Sequence, residues 1–197
     1  EVGQAALIYR FGLIPAELAG GQDLTSLMTP EGMVNIATPF SNWLTLITSM
    51  FFHADWLHLG SNMLFLWVFG DNIEDRFGHF KYLFFYLAAG FAASFLQVIM
   101  NLNSEIPGIG ASGAIAGVMG AYLVLFPHSR IRTLVFIIFF ITFVRIPAVV
   151  LLGIWFLLQL VSSFSTMAGE IEAGGIAYWA HIGGFIFGLG IGAIARV

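Results

Sequence analysis

A polytopic membrane helix bundle is the fold class this sequence predicts, and three observations carry the prediction. Of 197 residues, 59% are hydrophobic and 9% charged, with a mean hydropathy of +0.92, outside the soluble globular range. Several apolar runs approach the roughly 20 residues a helix needs to cross about 30 Å of hydrocarbon. The cations also segregate: Arg76 with Lys81, then Arg130, Arg132 and Arg145, then Arg196 alternate with cation-free loops, the pattern of the positive-inside rule.

Taken in order, Trp43–Phe52 is apolar and Trp-flanked, which suits a segment lying in the outer interface. Five spans follow within a single membrane domain, at about 57–75, 80–100, 111–126, 147–164 and 176–195. The third is short, so one of its ends lies below the membrane surface or the bilayer thins there. Thr133–Val144, bounded by Arg132 and Arg145, has too few residues to cross and reads as an interfacial or re-entrant segment.

The cationic regions are placed in the cytoplasm, which puts residues 11–56 and the loops holding Glu105 and Glu170 with Glu172 outside. An outward amino terminus with neither start Met nor signal peptide implies a helix upstream of Glu1. The chain has no Cys and a net charge of −4, so disulfide frameworks and thiol nucleophiles are excluded and no basic run suggests nucleic acid. No cofactor is expected. No metal is expected either, because His53 and His58 in "HADWLH" lack the i, i+4 spacing that puts two ligands on one helix face.

Polar residues inside a bilayer are costly and mark functional candidates. Four stand out: His58, Asn62, Ser112 and His181. His58 and Ser112 open the first and third spans from outside, and His181 lies about one turn into the fifth, so the three share a depth. If Thr133–Val144 were a span, His181 would start from the other side and miss Ser112. Ser112, Gly113, Ala116 and Gly120 fall within about 100° on the third span; His181, Gly184, Gly188 and Gly192 fall within about 80° on the fifth. Such small-residue faces let membrane helices approach closely, and packing them together brings imidazole to hydroxyl.

A Ser at a helix amino terminus also has unpaired N–H groups beside it, suited to an oxyanion. His58 and Asn62, at i and i+4, add donors on one face. Asp55 lies upstream of the first span, so a dyad is preferred over a triad. None of the spans holds an acid away from its ends, which argues against a carboxylate proton relay.

With these residues in hand, the sequence resembles the rhomboid family of intramembrane serine proteases, of bacterial type, from about Tyr9 to the end. Gly110-Ala111-Ser112-Gly113 is similar to the family's Gly-x-Ser-Gly nucleophile motif, "AHIGGFIFG" to its histidine motif, "HLGSN" to His-x-x-x-Asn, and "EDRFG", with Glu74 and Arg76, to Glu-x-Arg-x-Gly. The resemblance implies an all-α, six-helix core of which five spans are visible here. It implies Ser112 as nucleophile, His181 as general base, and Asn62, His58 and the Ser112 amide as the oxyanion hole.

The implied activity is a serine endopeptidase cutting single-pass transmembrane proteins within the lipid bilayer. The implied location is the inner cell membrane, with the site opening to the extracytoplasmic side. Two positions depart from the pattern: the aromatic found in some members four residues after the nucleophile is Ala116, and residues 11–56 lack the Arg of an external Trp-Arg pair. A non-catalytic scaffold binding transmembrane clients is the alternative. A small-solute transporter is disfavoured because no inverted repeat is seen.

Overall fold

The computed structural model describes residues 2–30, 32–137, 140–167 and 176–196. At the end of the bundle that holds Ser112, α1 (Val2–Phe11) and the single turn α2 (Pro15–Leu18) lead into a hairpin of β1 (Ser26–Thr29) and β2 (Gly32–Asn35). Then come 3-10 turns flanking α3 (Thr45–Thr48), which rest on the bundle. Within this run Thr45, Leu46, Ser49 and Met50 are buried while Trp43, Leu44, Ile47 and Phe51 stay exposed, the two-sided character expected of an interfacial segment.

Five long helices form the bundle: α4 (Trp56–Phe77), α5 (His79–Met100), α6 (Ser112–Leu125), α7 (Ala148–Met167) and α8 (Tyr178–Arg196). Among the described residues, α5, α7 and α8 are long and apolar enough to cross a membrane. The other two fall short of that standard for separate reasons. The 22-residue α4 carries His58, Ser61, Asn62, Asp71 and Asn72 among its apolar residues, and α6 has only 14 residues, about 21 Å at 1.5 Å per residue.

Glycine decides how the bundle closes. A Cβ on Gly184 would overlap the Gly113 carbonyl oxygen, one on Gly188 the Gly117 carbonyl oxygen, and one on Gly192 would crowd Ala121. These pairs advance together by one helical turn, so α6 and α8 run parallel with backbones in van der Waals contact. On its other flank α6 meets α5 antiparallel, Gly113 against Ala93 and Gly117 against Ala89. The central α6 is buried from Gly113 to Tyr122.

Parallel α6 and α8 require one crossing between them, and α7 supplies it. The segment before α7 is a second antiparallel hairpin, β3 (Arg130–Ile137) with β4 (Phe140–Pro147). The bundle is all-helical as the sequence predicts, with two hairpins added outside it. Thr133–Val144, expected as an interfacial or re-entrant segment, is built as two antiparallel strands. Strand pairing was not legible there because nearly every residue is apolar or β-branched on both faces, leaving no polar alternation to read. Glu31 and the loop with Glu170 and Glu172 lie outside the described residues.

Candidate functional site

Ser112 is the first residue of α6. It follows Gly110, whose φ of 117° is costly for any residue with a Cβ, and a Cβ there would come within 2.7 Å of His58 Nε2. The amino-terminal segment holds this approach: Leu13 and Gly108 exchange two backbone hydrogen bonds of 2.8 Å, and Gly110 N–H donates to Ser49 O at 2.8 Å. The helix's first closed turn is Ile115 N–H to Ala111 O. The amides of Ser112, Gly113 and Ala114 therefore have no partner within the helix.

His181, in the first turn of α8, places Nε2 2.8 Å from Ser112 Oγ. Its other nitrogen, Nδ1, lies 2.8 Å from Gln159 Oε1 on α7. Gln159 Nε2 donates to Trp155 O at 3.4 Å, which turns the amide oxygen toward the imidazole. An amide oxygen only accepts, so Nδ1 carries the hydrogen and Nε2 is left to accept from the serine hydroxyl. The ring is flanked by Trp155, centroids 5.8 Å apart, and Tyr178, 6.5 Å apart. Ala116 is fully buried in the bundle core, so the aromatic neighbours of His181 come from α7 and α8 instead.

His58 and Asn62 face the same space from α4. Asp55 caps that helix, accepting from His58 N–H at 2.7 Å; its carboxylate is committed to the cap, and the partner of His181 is Gln159. Ala54 N–H donates to His58 Nδ1 at 3.3 Å, which leaves Nε2–H as the free donor of the neutral ring. Asn62 is 5% exposed and donates one amide hydrogen to His58 O at 2.8 Å, keeping its second N–H available. Ser112, His181, His58 and Asn62 line one cavity of about 430 Å³, with Phe65 and Trp155 on its walls.

Glu74 and Arg76 stand at the far end of the bundle. Arg76 donates to Ala195 O at 3.2 Å, satisfying a carbonyl at the carboxyl end of α8, and Glu74 pairs with His79 Nδ1 at 2.5 Å. Gly113, Gly184 and Gly188 are the contact points of α5, α6 and α8 described above.

Two amides outside the sequence-derived candidates also order the site. One is Gln159; the other is Gln97, whose Oε1 accepts from Ala180 N–H at 3.2 Å and caps the start of α8. Each is an isolated polar residue inside an apolar run, the signal that singled out Asn62.

The family model of the Rhomboid domain matches residues 41–197. The chain belongs to the rhomboid family. It is similar to Rhomboid protein 1, mitochondrial, of Saccharomyces cerevisiae, with 30% identity over 150 residues covering 74% of this chain and 40% of that protein. It is 34% identical over 115 residues to Rhomboid protease GluP of Bacillus subtilis, covering 58% of this chain and 22% of that protein. It is 28% identical over 152 residues to Presenilin-associated rhomboid-like protein, mitochondrial, of Mus musculus, covering 73% and 36%. This rhomboid chain thus spans 40% or less of the length of these relatives. Family and helices together make it a multi-pass membrane protein.

Proposed function

We propose that this rhomboid is an intramembrane serine endopeptidase working by a Ser112–His181 dyad. The observation that carries the reading is the 2.8 Å contact between Ser112 Oγ and His181 Nε2, with the tautomer that lets Nε2 accept. All five long helices cross the bilayer of the inner cell membrane, and the cavity opens to the extracytoplasmic side. Substrates are single-pass transmembrane proteins.

Ser112 Oγ attacks the scissile carbonyl carbon as its proton passes to His181 Nε2. Charge develops on the carbonyl oxygen beside the free amides at the start of α6, Asn62 Nδ2 and His58 Nε2–H, donors fixed before the reaction begins. His181 returns its proton to the leaving amine, the C–N bond breaks and an ester on Ser112 remains. Water drawn from the outer surface then loses a proton to His181 and attacks the ester, releasing a carboxylic acid and restoring the hydroxyl.

A peptide in helical form hides its carbonyls in its own hydrogen bonds, so the substrate must unwind to reach Ser112. Access runs past α7, whose apolar stretch is only 17% buried in the bundle against 39% for α8. A disulfide tethering α7 to α4 is expected to stop cleavage of a transmembrane substrate while sparing reaction of Ser112 with a small probe.

The reading is tested in proteoliposomes holding the chain and a panel of single-pass proteins with small, helix-weakening residues near the outer surface. Cleavage by the parent chain that disappears in Ser112→Ala supports it. Binding of the same proteins without cleavage points to a client-binding scaffold.

A further inference from the structure

The hairpin β3–β4 leaves the bundle at the end opposite Ser112, joining the last turn of α6 to the first of α7. Its register sets Arg132 directly across from Arg145, Leu134 across from Phe143 and Phe136 across from Ile141. Side chains directly opposite share a face, as do every second residue along a strand. One face therefore carries Arg130, Arg132 and Arg145 at its base and Leu134, Phe136, Ile141 and Phe143 toward its tip. All seven side chains are exposed, with Phe136 at 68% and Ile141 at 67%.

Neither half of this face suits water alone. Like charges directly opposite in a strand pair repel, and no carboxylate among the described residues pairs with any of the three arginines. A shared anion would offset that repulsion. The apolar tip needs hydrocarbon, yet a two-stranded hairpin has two open edges of unpaired backbone groups and cannot sit deep in lipid. The depth that satisfies both demands is the headgroup boundary.

We propose that this face binds anionic phospholipid of the cytoplasmic leaflet, the phosphate between Arg132 and Arg145 and the acyl chains along Leu134, Phe136 and Phe143. A free phosphate would satisfy the guanidinium groups and leave the tip in water; an amphiphile covers both. The Arg132 guanidinium already lies 4.2 Å from the centroid of the Phe143 ring. That cation–π contact holds it beside the apolar surface. The proposal rests on membrane embedding and is independent of the protease reading.

The chain has no Cys, so Phe136→Cys or, as a second position, Ile141→Cys accepts a single environment-sensitive fluorophore. Reconstitution is in vesicles of phosphatidylcholine and phosphatidylglycerol with bromine on the acyl chains of one lipid or the other. The expected result is quenching by brominated phosphatidylglycerol severalfold above that by an equal amount of brominated phosphatidylcholine, since each basic residue near a membrane favours anionic lipid by about fivefold. Arg132→Gln with Arg145→Gln should remove the preference, and the Lys pair should keep it. Equal quenching by the two lipids, water-like emission at both positions, or a preference that survives the Gln pair would overturn the proposal.

Discussion

Gln159 Oε1 and His181 Nδ1 stand 2.8 Å apart, on the side of the imidazole ring away from Ser112. That contact fixes both the ring's orientation and its tautomer, so Gln159 is a positioning residue for the proposed base. Gln159→Leu is expected to lower the rate of Ser112 acylation by about 10- to 100-fold, a fraction of the value of a general base. Gln159→Glu should restore much of that rate and move the acid limb of the pH–rate profile upward, because a carboxylate favours the imidazolium. Equal losses in both variants, with an unmoved profile, would mark Gln159 as merely structural.

Asn62→Ala removes one donor aimed at the proposed oxyanion site and is expected to cost about 100- to 1,000-fold in turnover. Substrate binding, measured with Ser112→Ala as background, should change little. His58→Ala should show a smaller loss in turnover, since Asn62 and the amides of α6 remain.

The meeting of Ser112 and His181 was legible because depth, side and glycine face all pointed the same way on two helices. Gln159 was not, although the same physics applies: a lone amide in an apolar run must find a partner, but nothing in the run names which. The β3–β4 hairpin escaped notice because its tip is apolar on both faces, so register, the property that sorts Arg132 with Arg145, leaves no period in the sequence. The turns around Leu13 and Ser49 depend on hydrogen bonds to Gly108 and Gly110, pairings that no local pattern encodes.

Gly188→Ala would press a methyl group into the Gly117 carbonyl and force α6 and α8 apart. The expected cost is about 1–3 kcal/mol, read as a lower midpoint in denaturing-detergent titration, with slower Ser112 acylation alongside. Gly190→Ala, whose Cβ meets nothing within 4 Å, should leave both unchanged or raise stability slightly.

His53 supplies the pH dependence. Burial, and then the neighbouring His58, hold its pKa below the ordinary imidazole value, and its Nε2 is buried with no partner among the described residues. A depressed base is protonated more readily in the unfolded chain. Its contribution to stability is therefore full above about pH 6.5 and is lost as pH falls through the folded value. Unfolding midpoints should drop on acidification, and His53→Phe should flatten that drop.

Whether Ser112 is an activated nucleophile is tested by treating the chain in membranes with a fluorophosphonate probe and mapping the adduct by mass spectrometry. One adduct is expected, on Ser112, absent from Ser112→Ala and strongly reduced in His181→Ala. An unmodified Ser112 under conditions that label other serine hydrolases, or labelling undiminished in His181→Ala, would contradict the proposed dyad.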